Sequence, residues 1–140
     1  MPEPDTTRPA SDDYALLLAR IFMAALFLFS GVEKAFDFHG AAAFAASGGI
    51  PFATALMPFA IAVELLAGLA LLLGWRTREA AIVLAVWLGV LGPLFHQFWH
   101  APPALWQRTI DDFFHHFVML GGMVYVAVFG PGRIALRPHR

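Results

Sequence analysis

Residues 55–73 read ALMPFAIAVELLAGLALLL, apolar at every position except Glu64. Residues 14–32, YALLLARIFMAALFLFSGV, repeat the pattern with Arg20 as the only charge. Each run has close to the ~20 residues that an α-helix needs to cross the hydrocarbon of a bilayer. A soluble amphipathic helix would show a polar face recurring every turn, and neither run has one. A charge at bilayer depth costs roughly 2.5–3.5 kcal/mol on insertion scales, so each ionisable residue calls for a partner or a role. The two signs are opposite. At 1.5 Å per residue, Arg20 sits ~9 Å and Glu64 ~15 Å from one membrane face, an offset a long arginine can bridge. An Arg20–Glu64 pair inside the bundle is the expectation.

Two further apolar runs, at about 79–99 and 112–129, complete a set of four spans. The rest of the composition agrees. The chain is 59% hydrophobic and 14% charged, against about a quarter charged in soluble domains. Its mean hydropathy is +0.68. A net charge of −1 gives no basic face for nucleic acid. The absence of cysteine excludes thiolate and disulfide chemistry within the chain. The fold expected is all-α, a polytopic bundle of four transmembrane helices spanning 14–132. A disordered polar tail at 1–13 precedes it, without the basic flank and cleavage site of a secretory signal. A basic tail at 133–140 follows.

Six of the loop and tail cations, Arg8, Arg76, Arg78, Arg133, Arg137 and Arg140, fall on the side of the termini, and Lys34 and Arg108 fall on the other. The positive-inside bias then puts both termini in the cytoplasm, with an inner membrane as the setting. The turn GWRTR is tight. The opposite connections are long: 33–54, apolar but broken by Gly40, Gly48, Gly49 and Pro51, reads as an interfacial segment lying over the bundle. The segment 101–110 carries Pro102, Pro103 and Trp106 and reads as the second interfacial connection.

Helical spacing assigns an inward stripe to each span. These are Arg20, Ala24, Phe27, Gly31 and Lys34; then Ala60, Glu64 and Gly68; then Ala85, Gly89, Gly92 and His96; and finally Asp111, His115, Val118 and Gly122. Small residues permit close helix approach in lipid. Pro93, just before His96, removes a backbone hydrogen bond and favours a kink. His96 with His100, and Asp111 with His115, are i, i+4 pairs and weak candidates for a metal site. Without a surrounding motif they read as interfacial polar residues, and no metal is assigned. The four tryptophans and most phenylalanines read as lipid-facing or interfacial.

Taken in order, Arg20 with FMAALFLFSGVEKAFDF, then GGIPF, VELLAGLALLLGWRTR, the histidine His96, LGG at 120–122 and the closing GPGRIAL resemble the DoxX family of small four-helix membrane proteins. The resemblance runs over 16–136. It implies the fold above and associates the chain with quinone-linked oxidation of sulfur compounds, with membrane oxidoreductase complexes or with receptor assembly. Many relatives carry a Lys-Asn-like pair where this chain has His115 and His116. The leading reading is a component of a membrane redox system that binds a quinone or another small hydrophobic ligand. Arg20, Lys34, Gly68 and His115 form its candidate ligand-binding set, with Glu64 and His96 as candidate proton-handling residues. Electrons would come from a partner subunit, since no haem or flavin motif is present. If the protein is an enzyme, it is a quinone-linked oxidoreductase subunit. The alternative is a non-catalytic scaffold or assembly factor, with Arg20 and Glu64 as structural glue. Glycine-rich faces suit packing within one chain or within a homo-oligomer.

Overall fold

The computed structural model describes residues 10–136, with side chains from residue 11 onward. It contains five α-helices: α1 Ala10–Phe36, α2 Phe38–Ser47, α3 Ala53–Leu73, α4 Thr77–Phe95 and α5 Pro103–Phe129. A single 3-10 turn, Phe98–His100, joins α4 to α5. Four segments, Ser11–Phe36, Ala53–Leu73, Thr77–His100 and Pro103–Phe129, are long and apolar enough to span a membrane. The described residues are all-helical and turn, without strands.

The spans are longer than the apolar runs alone suggest. α1 begins at Ala10, inside the segment expected to be a tail, with Asp12 and Asp13 in its first turn, where carboxylates suit the helix dipole. Residues 1–9 and 137–140 of the two expected tails lie outside the described residues. α5 begins at Pro103, nine residues before the expected start, because proline at the first helical position has no N–H to waste and a preset φ. α4 ends at Phe95, two residues beyond Pro93, where the expected span continued to Trp99. The segment after α1 forms α2, which packs on α3 and against the end of α1. Its Asp37 caps the helix by accepting from the Gly40 N–H at 3.1 Å.

The spanning helices pack in chain order. α1 packs on α3, α3 on α4 and α4 on α5, whereas α1 and α5 share no extended contact. A core of Ala24, Phe27, Leu71, Leu84, Leu88 and Met123 is shared by all four spans. At one end, α1 and the chain after α5 are clasped. The Arg133 N–H donates to Asp13 Oδ1 at 2.9 Å, and the Arg133 guanidinium donates to Asp13 Oδ2. The Leu136 N–H donates to the Leu73 carbonyl at 3.0 Å. Residues 130–136 thus make a strap that holds both ends of the described chain at one end of the bundle. The turn between α3 and α4 sits beneath it. Gly74 closes α3 in the left-handed region at φ 73°, which glycine adopts without a Cβ penalty.

Candidate functional site

Glu64 lies midway along α3, 3% exposed, the sole polar side chain of residues 55–73. Its environment is set by Gly31 across the helix pair. A Cβ on Gly31 would come within 2.8 Å of the Leu65 side chain and 3.3 Å of Glu64 Cβ, so only glycine lets α1 approach α3 this closely. One turn further along α1, Lys34 then stands over the carboxylate. Its Nζ donates to Glu64 Oε2 at 2.9 Å and to Oε1 at 3.1 Å, with a further short bond to Ser30 Oγ. The Trp87 indole Nε1–H of α4 donates to Glu64 Oε1 at 3.2 Å. A charge that could not remain alone in the bilayer is thereby neutralised and fully hydrogen-bonded.

The partner of Glu64 is therefore Lys34, not Arg20. The expected pair fails on register. The close contact of Gly31 with Leu65 and Glu64 makes Gly31 the α1 residue level with Glu64. Arg20 lies eleven residues further back, roughly 16 Å along the axis. It is 2% exposed and sits against Gly74 and Ala135 at the clasped end, where Nη2 donates to the Ile134 carbonyl. Its Nε and Nη1 make no hydrogen bond. The structure makes Arg20 the anchor of the strap.

A second polar station faces Lys34 and Glu64 from α4 and α5. Gly92 allows the close approach here: a Cβ on it would lie 3.1 Å from His116 Cβ. The rings of His96 and His116 come together with centroids 4.7 Å apart. His116 Nδ1 lies 3.0 Å from the Asp112 carbonyl. A carbonyl only accepts, so Nδ1 carries a proton, and a neutral ring then offers Nε2 as an acceptor. His96 Nδ1 is 4.0 Å from Asp112 Oδ2.

Both stations line one cavity of about 540 Å³. Its walls come from all five helices and are otherwise apolar, with Phe27, Met57, Leu88, Leu91, Phe95 and Met119 prominent. α2 roofs it through Gly40, Ala41 and Phe44, and the Phe44 ring stacks on Phe95 at 5.6 Å. Glu33 and Asp37 stand at its mouth. The volume falls in the ~300–1,000 Å³ range of small-molecule pockets, and a mostly apolar lining with a few convergent polar groups is the usual composition of such sites.

Of the residues singled out from sequence, Glu64, His96 and Lys34 meet in this cavity, and Arg20, Gly68 and His115 do not line it. Gly68 is a contact residue: a Cβ there would press on Leu28 and Phe27 at 3.3 Å. The stripe expected on the last span is off by one position. His115 and Val118 are exposed, while His116, Met119, Met123 and Val126 face inward. The small-residue rule pointed to Gly122, which does lie against Met23 of α1, but the core positions of this face are taken by Met123 and Val126, with Met119 packed against them. His116, Met119, Met123 and Val126 are spaced three and four apart, the signal that identifies the face. Trp87 is turned inward rather than to lipid, because its indole N–H has a partner only there. Among the described residues no three His, Asp or Glu side chains are grouped to hold a metal ion. His100 and Asp111 engage Gln97 and Gln107 of their own segments.

These features define a polytopic helical membrane protein with an internal cavity. Residues 15–97, more than half the chain and covering α1 to α4, match the DoxX family. The chain belongs to that family. It is 26% identical over 121 residues to the inner membrane protein YphA of Escherichia coli K12, covering 86% of each chain. It is 29% identical over 127 residues to the inner membrane protein YqjF of the same organism, covering 89% of this chain and 91% of the relative. No solved structure matches it significantly.

Proposed function

We propose that this protein binds a small, uncharged hydrophobic molecule of the quinone class in the cavity, as a component of a membrane redox system. The observation that carries the proposal is the pairing of two polar stations, Lys34–Glu64–Trp87 and His96–His116, across otherwise apolar walls. A flat ring with an oxygen at either end needs that combination. When bound, a quinone supplies reversible acceptance of electrons and protons.

The residues divide the work as follows. Glu64 Oε1 accepts from both Lys34 and Trp87, so the Lys34 proton aimed at it is the one that can turn to a ligand oxygen without leaving the carboxylate unpartnered. His116 Nε2, an acceptor, receives the hydroxyl hydrogen of the reduced form, and the His96 ring beside it holds or releases a proton. α2 and the Phe44–Phe95 stack exclude water. Glu33 and Asp37 at the mouth, with Lys34 already neutralised by Glu64, disfavour anions, so inorganic oxyanions fit this cavity poorly. By the same reading the protein resides in a bacterial cytoplasmic membrane with both termini inside, as its six-to-two distribution of loop and tail cations supports.

The test is saturable quenching of Trp87 fluorescence by decylubiquinone in protein whose other tryptophans are replaced by phenylalanine. Lys34→Met and His116→Phe are each expected to raise Kd at least tenfold. Unchanged Kd in both variants, with both folded, would remove the cavity from the account and leave the scaffold reading ahead.

A further inference from the structure

Part of the cavity wall lies at hydrocarbon depth. Leu26 lines it and is nevertheless 43% exposed on α1. It lies ten residues, roughly 15 Å, before the end of α1 at Phe36, which is close to the middle of the span. Across from it is α5, which contributes Met119 and His116 to the same cavity while making no extended contact with α1. The two helices meet toward the clasped end. There the Met23 methyl fills the space beside Gly122, Leu16 packs beside Gly132, and Asp13 holds Arg133.

We infer that α1 and α5 part beyond the Met23–Gly122 contact, beneath α2, to leave a slot that serves as a lateral portal, and that the ligand is a tailed molecule whose polar head enters the cavity from the membrane while its alkyl chain stays in the slot. The inference rests on the ligand-binding reading above and names the route and the shape of the ligand. The chemistry of the rim supports it. Leu26 and Met119 bracket the slot at hydrocarbon depth with side chains that suit an alkyl chain and reject a solvated head. Ser30 and Lys34 follow one and two turns further along the same α1 face, so a head sliding inward meets its first hydrogen-bonding groups only after passing the rim. The other opening, at the α2 end, is flanked by the carboxylates Glu33 and Asp37, which an alkyl chain would have to dehydrate to cross. A head of quinone size occupies much of about 540 Å³, so a longer tail has to leave through the apolar gap.

The chain has no cysteine, so Leu26→Cys with Met119→Cys in the full-length protein provides the sole thiol pair. The experiment uses nanodisc-reconstituted protein retaining only Trp87, with stopped-flow quenching by decylubiquinone before and after bridging the pair with a bismaleimide. The unbridged sample serves as the folding control. Bridging is expected to slow association at least tenfold. Prior saturation with decylubiquinone is expected to slow the bridging reaction, followed as a mass shift, at least fivefold. Association unchanged within twofold after bridging would overturn the portal and leave the binding reading standing. Bridging at an undiminished rate with ligand bound would place the tail elsewhere and overturn the ligand's shape. Absence of saturable quenching in the unbridged sample would overturn the binding reading and the portal with it.

Discussion

Removing the ammonium of Lys34 tests the energetic core of the site. Lys34→Met keeps the length of the side chain and leaves Glu64, 3% exposed, with the Trp87 N–H as its remaining donor. Breaking a buried ion pair by removing one partner costs about 3–5 kcal/mol. Lys34 keeps 27% of its side chain accessible, and Trp87 still serves one carboxylate oxygen, so the lower end applies, about 3 kcal/mol. Glu64→Gln removes the charge but keeps an acceptor for Trp87, and leaves Lys34 one exposed edge through which to hydrate, so about 2 kcal/mol is expected. The double variant has neither an orphan carboxylate nor an orphan ammonium. It should be less destabilised than the sum of the single variants by about 2 kcal/mol, within the range seen for residues in direct contact. Equilibrium unfolding in mixed micelles, followed by far-UV circular dichroism, measures all four proteins. Additivity within about 0.5 kcal/mol would refute the pairing, because uncoupled sites behave that way.

Other outcomes follow from the rest of the fold. Arg20→Met should leave decylubiquinone affinity within twofold, since Arg20 lies outside the cavity. It should loosen the strap, so that a cysteine at Ala135 reacts with maleimide at least fivefold faster; a tenfold loss of affinity would contradict this separation. Gly74→Ala should lower stability by about 1–2 kcal/mol, the cost of a left-handed conformation for a residue with a Cβ, and more if Arg20 and Ala135 cannot yield, as micelle unfolding would record. Cysteines at Arg76 and Arg108, introduced singly, should be labelled from opposite faces of the membrane, with Arg76 protected in intact cells. Labelling of Arg76→Cys by an impermeant reagent in intact cells would reverse the proposed orientation.

The spans were legible because lipid leaves the backbone no partner outside the helix, so length and apolarity alone identify them. Glu64, Lys34 and His96 were legible as ionisable or polar groups in apolar surroundings. Their partners were not, because pairing depends on the axial register of two helices, and that register is fixed by contacts such as Gly31 against Leu65 rather than by distance from a helix end. Arg20 and Glu64 have the right charges and fall on inward faces, yet they belong to opposite halves of the molecule. The face of α5 was misread by one position for a related reason. Two adjacent glycines, Gly121 and Gly122, and two adjacent histidines, His115 and His116, make its stripe ambiguous until Met119, Met123 and Val126 are given their weight. Trp87 looked like any membrane tryptophan, and only the presence of Glu64 across α3 turns it inward.

The most direct test of the central claim is mass spectrometry of small molecules extracted from the detergent-purified protein, comparing the unaltered chain with Ala41→Trp, which plugs the cavity beneath α2. The account predicts a near-stoichiometric, uncharged, tailed molecule in the unaltered protein and its loss from the plugged, folded variant. Recovery of the same molecule in the same amount from both proteins would contradict it, as would an unaltered protein that is empty and takes up no added decylubiquinone.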